Sequence, residues 1–336
     1  MTPPQAQPPH PFQPLPTLSV VMPNYNHGRY LRAALQAHLD QSQPPVEILV
    51  VDDGSTDDSR SLVQEMAAAH PRVRLIPLPV NGGVNAAMNR GLREACGDFV
   101  CFCAADDLVT KDFAARSVGV LARFAGAAFC FSDLAVMRGD GGPVEPYPFF
   151  LSDAPCMLGP ADLERLLKRH FFIFPSHTMV YRKERLLALG GFRGELAWLA
   201  DWFANYVLAF RHGACYVPEV LGSFRRSAES YSARGARDPL AQRTLFFHVL
   251  DLLGSDPFRD VARPFRTCGV VPELRLRMLG WLLSAPGRRR YLTPRLAARL
   301  LFRPLRAVMS PYVPARLRRA ARRLAAAPAR RTLAAG

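Results

Sequence analysis

The chain has 336 residues, of which 49% are hydrophobic, and a formal net charge of +15. That length admits one large α/β domain with an appendage, or two domains, and the apolar content means that most of it folds around a core. The seven cysteines are odd in number and scattered, with no Cys-x-x-Cys or Cys/His zinc spacing, and read as reduced core thiols of a cytosolic protein. No stretch approaches the ~18 uninterrupted apolar residues of a membrane span.

Residues 1–16, "MTPPQAQPPHPFQPLP", lack a basic segment followed by an apolar one and read as a disordered Pro-rich leader rather than a signal peptide. From Thr17 short apolar runs alternate with helical stretches. "LSVVMP" (18–23) is a buried strand, and "GRYLRAALQAHLDQ" (28–41) a helix with Tyr30, Leu31, Ala34, Leu35 and Leu39 near one face. "VEILVVDD" (46–53) is a strand, and "DDSRSLVQEMAAAH" (57–70) a helix whose opening acids suit its N-terminal dipole. "RVRLIPL" (72–78), "NAAMNRGLREAC" (85–96) and "DFVCFCA" (98–104) continue as strand, helix, strand. Such alternation implies a mainly parallel sheet flanked by helices, with ligands off the carboxyl ends of the strands.

Those ends carry polar residues: "PNYN" after the first strand, "DDGS" after the second, "ADD" after the fourth. Paired acids at the end of a buried strand repel each other, and desolvation raises the cost. Asp106 and Asp107 suit a divalent ion that takes one or two carboxylates and completes its shell with water and phosphate oxygens; they equally suit an acidic helix start. Asp52 and Asp53 sit where a tight turn meets a helix, and turn and cap chemistry alone would explain them. "NGG" at 81–83 is a Gly-rich turn, but no GxGxxG follows a strand, which argues against a dinucleotide fold.

The second half is more mixed. "PADLERLLKRH" (160–170) is helical, "HTMVYR" (177–182) a short strand, "WLADWFANYVLAFRHG" (198–213) a helix, and "ACYVPEVLGSFRRS" (214–227) two short strands. Asp201 lies in the first turn of an apolar helix, where it is either a dipole partner or a reactive acid. Past about Asp238 the alternation gives way to Arg/Leu/Ala helices. Residues 240–336 hold 20 Arg against four acids, whereas residues 1–239 nearly balance. In "TPRLAARLLFRPLRAVM" (293–309) Arg295, Arg299, Arg303 and Arg306 form a helical stripe, and "ARLRRAARRLAAA" (315–327) follows. Basic amphipathic helices of this kind lie on anionic membrane surfaces; a solvated tail or a helix packed on the body is the alternative. Nucleic acid is an unlikely partner, since the tail has no interleaved aromatic residues.

Taken together, "SVVMPNYNHGRYL", "EILVVDDGSTDDS", "NGGVNAAMNRGL" and "GDFVCFCAADD", in this order and spacing, resemble the inverting family 2 glycosyltransferases with a GT-A fold. The four blocks cover residues 19–107. "RKERLLALGGF", "WLADW" and "PEVLGSFRRSAES" extend the resemblance to about 230. It implies a GT-A-type, Rossmann-like domain over 17–238, with a nucleotide-binding half (17–110) and an acceptor-binding half (111–238), followed by a basic helical extension over 239–336. It implies that Pro23, Tyr25, Asp53, Asn89 and Asp106 bind a nucleotide-diphosphate sugar, that Asp107 ligates Mn²⁺ or Mg²⁺, and that Asp201 is the general base. The acceptor would be a hydroxyl of a cell-surface glycan or lipid-linked sugar, and the enzyme would sit peripherally on the inner face of the cell membrane. Arg225 and Arg226 fall where the family often places basic residues near the diphosphate, or form an exposed strand end; His177 reads as structural. Two departures stand out: Ala104 and Ala200 occupy positions where many members carry acids. A non-catalytic nucleotide-sugar-binding relative acting through its basic tail is the first alternative. A nucleotidyltransferase is the second, although "PNYNHGR" does not resemble its Gly-rich basic loop.

Overall fold

A computed structural model describes residues 16–139, 142, 144–170, 172–226, 230–235, 237–270 and 277–297. Residues 1–15 of the expected leader lie outside this range, as do Arg299, Arg303 and Arg306 of the Arg stripe and the helix expected over 315–327.

The first hundred residues alternate as their apolar pattern requires: β1 (Leu18–Asn24), α1 (Gly28–Leu39), β2 (Glu47–Asp52), α2 (Ser59–Ala69), β3 (Val73–Pro77), α3 (Val84–Glu94) and β4 (Phe99–Phe102). Then follow β5 (Leu108–Val109), α4 (Phe113–Arg123), β6 (Phe129–Arg138), β7 (Val144–Tyr147), β8 (Cys156–Leu158), α5 (Pro160–Arg169), β9 (Val180–Arg182), α6 (Lys183–Ala188), α7 (Ala200–His212) and β10 (Ala214–Arg226). Four more helices complete the described chain: α8 (Tyr231–Gly235), α9 (Pro239–Leu252), α10 (Arg259–Cys268) and α11 (Arg277–Leu283).

All ten strands join one sheet in the order β3-β2-β1-β4-β9-β6-β10-β5, with β7 added to β6 and β8 to β10. β3, β2, β1 and β4 are mutually parallel, and so are β6 and β10. β9 runs antiparallel between β4 and β6 and joins the two halves. The strand expected over "HTMVYR" (177–182) is shorter: Ser176–Thr178 is a 3₁₀ turn, and only Val180–Arg182 pairs. "ACYVPEVLGSFRRS" makes one long strand rather than two. Its register shifts between Val217 and Gly222, where Pro218 has no N–H for the ladder and a bulge absorbs the mismatch.

Strand residues alternate between two cores, because successive side chains point to opposite faces. Val21, Leu49 and Val51 join the core beneath α3, α5 and α7, whereas Val20, Met22, Ile48 and Val50 join the one beneath α1, α2 and α4. α3 approaches β1 closely, and a Cβ on Gly91 would run into Val21. Two adjacent cations hold helix ends to the sheet. Arg182 donates to the carbonyls of Leu121 (3.1 Å), Ala127 (3.3 Å) and Phe124 (3.4 Å), with its guanidinium over the Phe99 ring. Lys183 donates to the Ala95 carbonyl at 3.0 Å. Lys183 thereby occupies a carbonyl at the C-terminal end of α3, and Arg182 adds a charged donor to the carbonyls at and just past the end of α4.

The described part of the C-terminal segment packs on the body. Asp238 caps α9 by accepting from the Leu240 and Ala241 amides, with Pro239 at the first helical position. Phe265 of α10 stacks against Trp202, Phe203, Tyr206 and Phe210 of α7 at 5.4–6.0 Å, and Phe258 against Phe203 at 5.0 Å. α7 is therefore buried on nearly every side, which explains its almost uniformly apolar sequence.

His38 on α1 is buried against Phe113, and neither ring nitrogen finds a hydrogen-bond partner among the described residues. Burial pushes its pKa down to about 4 from the ordinary 6.5. Below pH 6.5 the unfolded chain takes up a proton that the folded ring refuses. Stability is therefore intact above pH 6.5 and declines by up to about 3 kcal/mol as the pH falls toward 4. Urea unfolding between pH 8 and 4 should show this slope, and His38→Leu should make it shallower, leaving the share of His177, which burial also holds at about 4.

Candidate functional site

Because β1, β2 and β4 are parallel, their carboxyl ends open on one edge of the sheet. At that edge three loops are tied into a rim. The Asn24 amide donates to Asp52 Oδ2 and to Ser55 Oγ, both at 3.1 Å. Asn26 Oδ1 accepts from the Thr56 and Asp57 amides at 2.8 and 3.3 Å. Both oxygens of Asp53 are engaged: Oδ1 accepts from the Gly82 amide and Oδ2 from the Gly83 amide, each at 2.8 Å. Gly54 turns the chain with φ +77°, and a Cβ there would meet the Asn81 amide. Pro23 lies in β1 opposite Val51, and the Tyr25 ring just beyond it is 45% exposed on the rim.

Asp52 and Asp53 thus differ in their surroundings. Burial raises the Asp52 pKa, but hydrogen bonds from Ser55, Arg60 and Asn24 outweigh it and hold the carboxyl below the usual range. Arg60 Nε donates to Asp52 Oδ1 at 2.6 Å, and its Nη2 donates to the Leu78 carbonyl. Asp52 is a structural anchor, and Asp53 fixes the backbone of the 81–83 turn.

Past β4 the chain tightens, with the Asp107 amide donating to the Ala104 carbonyl, and then enters β5 against β10. Asp107 is 7% exposed, whereas the Asp106 side chain is 18% exposed. Asp107 Oδ1 accepts from the Arg225 amide at 2.8 Å. Burial, and then the charge of Asp106, push the Asp107 pKa up to about 7, with Arg225 pulling the other way. The Arg225 side chain donates to the carbonyls of Asp106 and Gly139, and its guanidinium lies 4.5 Å from the centre of the Tyr30 ring. His27 Nδ1 is 4.0 Å from Asp106 Oδ1. Among the described residues no group of three or more His, Cys, Asp or Glu side chains gathers around a point. Two adjacent carboxylates at 106–107 are a donor set that fits a hard cation whose remaining positions are filled from outside. A positive charge there would offset the burial and, after it, the Asp106 charge that raise the Asp107 pKa.

Asp201 stands in the first turn of α7. Its Oδ1 accepts from the Trp202 amide and its Oδ2 from the Ser176 hydroxyl, each at 2.7 Å. Burial raises its pKa, while Ser176 and the Trp202 amide act in the opposite sense. The chain reaches Asp201 through Ala197, whose φ of 48° is costly for a residue with a Cβ. Asn85 of α3 donates to the Ala197 carbonyl at 2.8 Å and holds that bend.

Short contacts link the three predicted acidic positions. From Asp53 they run through Gly82 and Gly83 to the start of α3, and from Asn85 to the turn before Asp201. From Asp201 they run through Ser176 to the adjoining His177, whose ring lies 5.5 Å from that of Phe224, and Phe224 precedes the Arg225 amide that binds Asp107. Asn89 is engaged elsewhere: its Nδ2 donates to the Phe192 carbonyl at 2.6 Å and its Oδ1 accepts from the Phe192 amide at 2.8 Å. It ties α3 to the chain leading into α7. Arg60 and Ser176 carry no local mark in the sequence. Their meaning depends on partners 8 and 25 residues away.

The family model described as Glycosyl transferase family 2 matches residues 19–186, half of the chain. The putative teichuronic acid biosynthesis glycosyltransferase TuaG of Bacillus subtilis is 33% identical over 132 residues, covering 39% of this chain and 52% of TuaG. An uncharacterised protein of Mycobacterium tuberculosis is 28% identical over 214 residues, 63% of this chain and 59% of its own. The chain thus matches between half and three fifths of the length of these two relatives. Staphylococcus aureus TarS 1–349, solved in complex with UDP-GlcNAc, superposes with a TM-score of 0.61 over 84% of this chain and 83% of that one, at 16% identity. That likeness is one of fold.

The two bonds between Asn89 and Phe192 make a prediction about stability without ligand. Asn89→Ala leaves the Phe192 amide and carbonyl without their partner and should destabilise the free protein by about 2 kcal/mol in urea unfolding. A residue acting only by touching a bound nucleotide would leave the free protein unchanged.

Proposed function

Because this chain belongs to glycosyl transferase family 2, we propose that it transfers a sugar, with inversion, from a nucleotide-diphosphate sugar to a hydroxyl of a cell-surface glycan or lipid-linked acceptor. The observation that carries the reading is the linkage of Asp53, the Asp106–Asp107 pair and Asp201 around one sheet edge by the contacts above. Pro23, Tyr25, Asp53 and Asp106 hold the sugar nucleotide. Asp53 acts largely through the turn it braces, since both its oxygens already accept backbone amides. Asn89 shapes the wall of that pocket through the Phe192 backbone.

Asp201 accepts the proton of the acceptor hydroxyl. The acceptor oxygen forms a bond to the anomeric carbon as the bond to the diphosphate breaks on the opposite face, so the configuration inverts. Asp107, with Asp106 beside it, would hold Mn²⁺ or Mg²⁺, which when bound supplies positive charge to the leaving diphosphate. Arg225 keeps the Asp107 carboxylate in place through its amide.

The C-terminal segment fits a role at an anionic membrane surface on the cytoplasmic side. Residues 240–336 carry 20 Arg and four acids. No helix among the described residues is long and apolar enough to cross a membrane. The basic segment favours peripheral binding, to which each Arg near the surface adds about 1 kcal/mol.

Asp201→Asn should lower turnover by roughly 10²–10⁴-fold and leave the affinity for the sugar nucleotide nearly unchanged. Asp107→Asn should abolish the Mn²⁺-dependent part of the melting-temperature rise that nucleotide diphosphates produce. Near-normal turnover in Asp201→Asn would remove the base from the scheme. In co-sedimentation, the full chain should bind vesicles containing phosphatidylglycerol and not pure phosphatidylcholine, and lose that binding when residues 298–336 are deleted.

A further inference from the structure

A chain of three hydrogen bonds runs from the core to Asp201. Tyr181 on β9 is buried among the rings of Phe102, Phe129 and Phe192 at 5.8–6.3 Å. Its hydroxyl donates to Asn205 Oδ1 at 2.8 Å. Asn205, also buried, donates from Nδ2 to Ser176 Oγ at 3.2 Å, and Ser176 Oγ donates to Asp201 Oδ2 at 2.7 Å. The direction is locked. An amide oxygen cannot donate, and the other acceptor near the Tyr181 hydroxyl, Met179 Sδ at 3.6 Å, is weak, so the Tyr181 proton goes to Asn205 Oδ1 and the Asn205 N–H faces the Ser176 oxygen. Ser176 is left to offer its own proton to the carboxylate.

We propose that Tyr181, Asn205 and Ser176 form a one-way relay that positions Asp201 and keeps its carboxylate ionised, with Ser176 as the positioning residue. The proposal rests on the reading of Asp201 as the base. Oδ2 is held by Ser176 and Oδ1 by the Trp202 amide, so the carboxylate cannot rotate freely and its remaining lone pairs have a fixed aim. A charge in a half-buried site also needs donors, and this relay supplies one that cannot reverse into an acceptor.

The surrounding groups do not substitute for the relay. Burial, and then the charge of Asp201, keep the Tyr181 phenol protonated. His177, beside Ser176, is neutral, since burial lowers its pKa to about 4. Glu195 in the preceding turn pairs with Arg193, and Asp260 on α10 pairs with Arg211 at the far end of α7. Among the described residues, the hydrogen bonds to the Asp201 carboxylate come from Ser176 and the Trp202 amide.

The test is the titration of the Asp201 carboxyl carbon in the full chain labelled with ¹³C-aspartate, the signal being assigned by its loss in Asp201→Asn. In Ser176→Ala the midpoint should rise by about one to two pH units, the equivalent of a hydrogen bond to a charged group. Ser176→Thr, which keeps the hydroxyl, should restore it. Asn205→Leu and Tyr181→Phe should each raise it by less, because the Ser176 hydroxyl is then free to turn away. The acid limb of turnover against pH should move with the midpoint. An unmoved midpoint in Ser176→Ala, or in Asn205→Leu should the former not fold, overturns the relay. A moved midpoint combined with normal turnover in Asp201→Asn leaves the relay standing and removes Asp201 as the base.

Discussion

Removing a carboxylate from water costs several kcal/mol unless donors replace the hydration shell, and this protein takes four of them into one edge of its sheet. Asp52, Asp53 and Asp107 are buried, and Asp201 is half-buried. Each is answered differently. Asp52 receives a guanidinium and is held ionised as a strut. Asp53 receives two backbone amides and braces a turn. Asp201 receives a directed hydroxyl and its neighbour's amide. Asp107 receives one amide and a like-charged neighbour, and its pKa rises to about 7. Of the four, Asp107 has the environment that most calls for a cation.

Two features of the fold make this arrangement rigid. Parallel strands deliver their ends to a common edge, so residues far apart in sequence meet without long loops. α7, which carries Asp201 and Asn205, is enclosed by aromatic side chains of α10 and by the Phe172–Phe174 stretch. The described C-terminal helices are thereby part of the support for Asp201. Loosening Phe258 or Phe265 would be felt at the first turn of α7, through Trp202 and Phe203.

Much of the architecture was legible in the sequence, and for local reasons. Apolar runs of four to seven residues alternating with helical periodicity specify the β1–β4 half. The change at about Asp238 from alternation to helices coincides with the start of α9 at Pro239, where a cap and a fixed φ act on the nearest amides. The crowding of acids at strand ends was equally plain, because polar residues interrupting apolar runs stand out. β6 was not assigned, although "AFCFSDLAVM" is a long apolar run; Ser132 and Asp133 break it, and the bond from the Tyr216 hydroxyl that satisfies Asp133 lies 83 residues away.

The sequence by itself determined the αβ alternation, the positions of the acids and the lopsided charge of the last hundred residues, since each is a property of neighbours along the chain. Only the tertiary structure decided that β9 is inserted antiparallel between β4 and β6, that Asn89 grips Phe192, and that a serine at 176 faces Asp201. Those outcomes depend on how two-faced elements close around shared cores, and pairings 25 to 103 residues apart have no signature within either segment alone.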